Sequence, residues 1–131
     1  MVRKAKKAGL LIDKDPSLDE LWRVLEATYD RHEAKPTHSY DELNDLLHRC
    51  HDDVRIMVAK RDGHAVAGIV EFRITRYVNG SFYLCQNSHG AEVQALSFLI
   101  NHALNRSQQD GYHIYDFGTS TVNMRARPNI F

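Results

Sequence analysis

From Val54 onward the hydrophobic spacing drops from three or four residues to two, and it stays there through three successive segments. "VRIMVAK" alternates Val54, Ile56 and Val58 with partly polar neighbours, and "RDG" supplies the residues of a tight turn. "HAVAGIVEFRIT" continues as a second strand, so the pair reads as a β-hairpin. In "YVNGSFYLCQNS", Asn79-Gly80 predicts a further turn before a third strand rich in aromatics, which extends the hairpin into an antiparallel meander. Gly68, inside the second strand, marks either a bulge or a place where another backbone or a ligand comes close.

Helical periods flank this meander. "SLDELWRVLEATYDRHEA" buries one stripe through Leu18, Leu21, Trp22, Leu25 and Tyr29, with Ser17 and Glu20 spaced as a capping box. In "AKPTHSYDELNDLLHRC", Pro36 makes Lys35 a poor helical residue, Ser39 and Glu42 form a second capping box, and Leu43, Leu46, Leu47 and Cys50 supply the apolar face. After the meander, Val93, Leu96, Leu99, Ile100, Ala103 and Leu104 predict one helix ending at Gly111. "YHIYDFG" then reads as a strand returned by that helix through a right-handed parallel crossover. With "GLLID" as a brief opening strand, the order is β, α, α, β, β, β, α, β, an α/β sandwich in a single domain over residues 1–131. Residues 1–8 form a basic arm, and residues 119–131 carry no pattern of a regular element.

Seventeen basic residues balance seventeen acidic ones, so no global field draws the chain to nucleic acid or an anionic membrane. No apolar run approaches the ~20 residues of a membrane span, and the basic start lacks the core of a signal peptide, which predicts a cytoplasmic protein. Cys50 and Cys85 read as reduced thiols. The eight histidines show no spacing that would put metal ligands on one face, so no metal is expected.

Asp116-Phe117-Gly118 has the letters of a kinase metal-binding triplet, but no glycine-rich loop, strand lysine or catalytic-loop pair precedes it in order, which excludes a phosphoryl transferase. What remains is an acid and several hydroxyls, Asp116 and Ser120 among them, at the end of a strand beside a crossover. Their alternative is a turn whose side chains satisfy backbone amides. In "QNSHGAEV", Gly90 allows close approach at a helix start whose free amides suit an anion or a developing oxyanion; alternatively Asn87 or Ser88 simply caps the helix. "KPTHS" presents His38 either as a base or as a solvent-facing residue before a capped helix.

Taken in order, "VRKAKKAGL", "RHEAKPTHSYDEL", "AVAGIVEFR", "YLCQNSHGAEVQAL" and "YDFGTST" resemble the GNAT-like acyltransferases related to FemAB, in particular their C-terminal module. The resemblance implies a mixed, mostly antiparallel sheet flanked by helices, incomplete at its C-terminal end. It implies transfer of an acyl or aminoacyl group to an amine, from acetyl-coenzyme A, another acyl donor or an aminoacyl-tRNA. The acceptor would be a small molecule or a cell-envelope precursor. Gln86, Asn87, Ser88, His89 and Gly90 then border the donor cleft, and His38, Asp116 or Ser120 orients the acceptor amine, with Tyr83 and Tyr115 as candidate proton donors. The donor loop departs from the usual arginine or glutamine followed by two spaced glycines. A sheet cut at this point implies a homodimer that covers its edge, and the alternative reading is a noncatalytic GNAT-like binding or assembly module.

Overall fold

Asp62 and Gly63 both take positive φ, +53° and +81°. That is the mirror-image turn whose twist matches a two-residue hairpin, and Asp-Gly is among the few pairs that adopt it cheaply. It closes β2 (Val54–Arg61) onto β3 (His64–Arg73). The computed structural model describes residues 9–31 and 34–117, so the basic arm and residues 118–131 lie outside the described residues.

The next turn is not where Asn79-Gly80 predicts it. Both residues lie inside β4 (Val78–Gln86), and the chain reverses earlier, where the Thr75 hydroxyl accepts from the amides of Tyr77 and Val78, each at 3.1 Å. Tertiary contacts override the local preference. Asn79 is fully buried and its Nδ2 donates to Ser107 Oγ at 2.8 Å. Gly80 leaves room for a neighbouring strand: a Cβ there would stand 2.7 Å from the carbonyl oxygen of Asp116.

Among the described residues the sheet has the order β1-β2-β3-β4-β5, with β1 (Leu11–Asp13) at one end and β5 (Ile114–Asp116) at the other. All pairs are antiparallel except β4 with β5, the expected parallel unit. Two bulges interrupt the meander. One leaves Val66 of β3 without a partner on β2, and the other leaves Phe82 of β4 without a partner on β3.

Helices α1 (Leu18–Arg31) and α2 (Tyr40–Arg49) cover one face of the sheet. There Leu21, Val24, Leu25 and Leu43 pack with Val58, Val70, Tyr83 and Cys85. Gly68 serves this packing, because a Cβ on it would run into the end of the Leu21 side chain; the two bulges lie elsewhere. On the other face Leu99 and Ala103 meet Met57, Ala59, Ala67, Ile69 and Tyr115. Each fully buried leucine contributes about 1.5–3 kcal/mol relative to exposure.

The capping box of α2 is complete: Ser39 Oγ accepts from Glu42 N at 3.2 Å, and Glu42 Oε1 accepts from Ser39 N at 3.1 Å. Ser39→Ala should therefore cost about 1 kcal/mol in chemical denaturation; an unchanged midpoint would show that the loop before α2 is held by other contacts. At the start of α1, Ser17 Oγ accepts from Glu20 N at 3.3 Å, while the Glu20 carboxylate turns to Lys60. The third predicted helix is broken. A short α3 (Ser88–Glu92) is followed by α4 (Ala95–Gln109), with Gln94 between them in the left-handed region at φ +55°.

Candidate active site

Strand β4 is paired with β5 only through Val78, Asn79 and Gly80, the last rung being Gly80 with Asp116. It continues to Gln86 with no further described rung on that side. The parting point is marked twice in sequence, by Gly80 and by the bulge at Phe82. At the far end, Thr28 of α1 reaches this edge: its hydroxyl accepts from Gln86 N at 3.2 Å and lies 3.0 Å from Gln86 O. Main-chain groups alternate in direction along a strand, so the N–H and C=O of Leu84 face the same edge as those of Gln86.

Beside this edge the structure brings together two of the residues singled out in sequence. His38 Nδ1 lies 2.8 Å from Tyr83 Oη, and His38 N donates to the same oxygen at 3.0 Å. Pro36 and the capped start of α2 fix the loop that carries His38, while burial of Tyr83 on β4 fixes its partner. His38 Nε2 makes no hydrogen bond among the described residues. Phe82, half exposed because the bulge turns it outward, packs edge-on against His38 and Phe72, with centroids 4.9 and 5.7 Å apart. These rings, with Leu43, Leu46 and Val70, line an apolar pocket of about 160 Å³. Sequence reasoning missed Phe82 and Phe72; the only signal was the aromatic density of the third strand.

The donor-loop residues divide. Asn87 Oδ1 accepts from Gly90 N at 2.9 Å, so Asn87 caps α3. Gln86 Oε1 accepts from Leu96 N at 3.2 Å and so fills a first-turn amide of α4. Gly90 is demanded by the protein's own backbone, since a Cβ would fall within 3.0 Å of Val66 O. The bulge at Val66 also lets that carbonyl accept from Asn87 N at 3.0 Å. Ser88 and His89 are exposed. With Arg61, His64 and Glu92, His89 borders an open cleft of about 690 Å³.

Asp116 stands at the last rung between β4 and β5, whereas Ser120 lies outside the described residues. Tyr115 is committed: its hydroxyl donates to Glu71 Oε2 at 2.9 Å and is hydrogen-bonded to Ser81 Oγ. Burial first, then the Glu71 carboxylate, raises its pKa well above the usual phenol range. Tyr115→Phe would leave a 3 % exposed Glu71 oxygen short of a donor. The expected loss is about 1–3 kcal/mol of unfolding free energy, and a neutral result would mean that water replaces the hydroxyl. Burial likewise pushes the Cys85 thiol up to about 12, so it stays protonated near neutral pH. Among the described residues no three of His, Cys, Asp and Glu converge in a way that could hold a metal, and no helix is long and apolar enough to cross a membrane.

No curated protein matches the sequence. Solved structures share the fold at low identity. A GNAT family acetyltransferase from Brucella melitensis in complex with acetyl-CoA is 15% identical, with a TM-score of 0.70 over 87% of this chain and 77% of that one. Ard1 from Thermoplasma volcanium is 15% identical, with a TM-score of 0.67 over 87% and 74%. An aminoglycoside acetyltransferase from an uncultured soil metagenomic sample, in complex with sisomicin, is 16% identical, with a TM-score of 0.68 over 87% and 80%. The family model of the acetyltransferase (GNAT) domain matches residues 1–123, nearly the whole sequence. On that match, and with a mostly antiparallel five-stranded sheet between helices as the fold its structural neighbours share, the chain belongs to the acetyltransferase (GNAT) domain family, whose chemistry in general is acyl transfer.

Proposed function

We propose that the chain transfers an acyl group from an acyl-coenzyme A thioester to a primary amine whose apolar part occupies the pocket beside Phe82. The observation that carries this reading is the His38 and Tyr83 pair on β4, the strand that runs on past its last described rung with β5. The edge fits the acyl arm of such a donor, because Leu84 offers a donor and an acceptor there as a neighbouring strand would require. The loop beyond Gln86 fits a diphosphate less well, since side chains already fill the amides of Gly90 and Leu96. Arg61, which is ion-paired with Glu92 at 3.1 Å, and His89 border the open cleft and are the residues this reading assigns to phosphate charge.

The thioester supplies an activated carbonyl, and the protein's part is to polarise it and to move one proton. The N–H of Leu84, on the side of β4 beyond its last described rung with β5, can donate to the carbonyl oxygen as negative charge develops. In the tautomer with hydrogen on Nδ1, the ring and the His38 amide both donate to Tyr83 Oη, and Nε2 is left as an acceptor. The amine nitrogen bonds to the acyl carbon as the carbon–sulfur bond breaks. Nε2 takes the amine proton, Tyr83 Oη stabilises the imidazolium, and the proton then passes to the departing thiolate. At about 160 Å³ the pocket is close to the ~150 Å³ that admits a benzene ring in an apolar site.

A covalent acyl-enzyme is not part of this scheme, because the amine attacks the thioester carbonyl directly and the buried Cys85 thiol, beside Tyr83 on β4, stays protonated. Initial-rate lines at several amine concentrations should therefore intersect rather than run parallel. Acetyl-coenzyme A at a hundredfold excess over its dissociation constant should add about 2.7 kcal/mol to stability, read as a thermal shift. Thiol release with a panel of amines tests turnover. The reading fails if no acyl-coenzyme A raises the melting temperature and no amine produces thiol.

A further inference from the structure

Aliphatic side chains from α2, β2 and β3 make one part of the pocket beside Phe82, and the rings of His38, Phe72, Phe82 and Tyr83 make the rest. Phe82 is the member common to the ring wall: its centroid lies 4.9 Å from that of His38, 5.7 Å from Phe72 and 5.2 Å from Tyr83. The contacts with His38 and Phe72 are edge-to-face, and the one with Tyr83 is tilted. Phe82 still leaves half of its surface exposed for a ligand to cover. No Asp, Glu, Lys or Arg lines the pocket among the described residues, so nothing there can pair with a charged group.

Volume, wall and charge together select the occupant. The volume of about 160 Å³ suits one benzene ring, which an apolar cavity of ~150 Å³ takes up. An alkyl chain of similar bulk loses rotamer freedom on entering such a space, whereas a ring has none to lose. Aromatic rings also gain from edge-to-face contact with other rings beyond the area they bury, and Phe82 offers that contact. A second ammonium group would shed its water there and find no partner. His38 is both a wall of the pocket and the proposed base, so the reacting nitrogen lies beside the ring site and a short link joins the two. We infer that the acceptor is a monoamine with a single six-membered aromatic ring, held to its amine by one or two carbons, and that Phe82 sets this preference.

The inference rests on the acyl-transfer reading of the same site and adds the class of acceptor to it. Two measurements keep failure of the one distinct from failure of the other. First, the full chain without donor is titrated with benzylamine, and binding is read from the ring protons of Phe82 and from His38 Cε1–H. Benzylamine should move both sets of resonances, whereas n-butylamine and tetramethylammonium should require about tenfold higher concentrations.

Second, thiol release from acetyl-coenzyme A gives kcat/KM for each amine. Benzylamine or 2-phenylethylamine should exceed cyclohexylmethylamine about three- to tenfold, and 1,4-diaminobutane about a hundredfold. Phe82→Leu should bring the ratio of benzylamine to cyclohexylmethylamine within about twofold. That ratio is taken within one variant, so it does not depend on how much of the variant folds. If the aliphatic amines or the diamine turn over as well as the aromatic ones, or if Phe82→Leu keeps the parent's ratio, the acceptor class is wrong and acyl transfer stands. If benzylamine binds but no amine releases thiol, acyl transfer falls and the acceptor role falls with it. Tighter binding of tetramethylammonium than of benzylamine would make the ring wall a cation cage and would also overturn the inference.

Discussion

His38→Asn should fold like the parent and lose about 10²–10⁴ in kcat, the usual contribution of a positioned acid or base. Asparagine keeps an N–H near the position of Nδ1, so the hydrogen bond to Tyr83 Oη, now 2.8 Å, can be retained. What it lacks is a nitrogen that accepts a proton on the other side. The unfolding free energy should stay within about 1 kcal/mol of the parent, since the number of satisfied groups is unchanged. Tyr83→Phe is the informative companion. It strips the shared acceptor from both the His38 amide and the ring, so stability and rate should fall together, whereas His38→Asn should separate them. Turnover of His38→Asn within threefold of the parent, measured by thiol release, would reduce His38 to a packing residue of the α2 loop.

Gly90→Ala should lower the unfolding free energy by about 3 kcal/mol, the combined cost of overpacking and of a disturbed backbone hydrogen bond. The new Cβ would press on the carbonyl of Val66 and lie 3.4 Å from Ala95 Cβ. Neither neighbour can rotate away, so α3 would have to lift from the sheet and strain the 3.0 Å bond from Asn87 N to Val66 O. Gly68→Ala is the control. There the Cβ meets the end of the Leu21 side chain, which has torsions to spend, and the loss should be nearer 1–2 kcal/mol. Denaturant midpoints for the two variants decide the matter. Equal stability of Gly90→Ala and Gly68→Ala would show that the loop can move aside and that Gly90 is not set by this contact.

These residues also show where sequence reasoning reached and where it stopped. The capping box at Ser39 and Glu42, the Asp62-Gly63 turn, the stripe through Leu21 and Leu25 and the helix that returns β5 parallel to β4 are local in origin. Periodicity and turn chemistry therefore identified them. Asn79-Gly80 was misread as a turn, and clearance for a ligand was one reading of Gly90, for one shared reason. A glycine is read as a turn or as clearance for a ligand when only its neighbours in sequence are visible, yet in both places the space is taken by another part of the same chain. The break at Gln94 was equally hidden, because the apolar spacing from Val93 to Leu104 continues through it without a gap.

By itself the amino-acid sequence determined the order of strands and helices apart from the break at Gln94, the starts of α1 and α2, and the hairpin, since each follows from side chains within a few residues of one another. Only the tertiary structure decided that His38 meets Tyr83, 45 positions away, that Gln86 turns its side chain to a helix amide ten residues on, and that β4 runs on past its last described rung with β5 at Gly80. Those outcomes depend on which surfaces pack together in space, and no local rule of propensity or spacing carries that information.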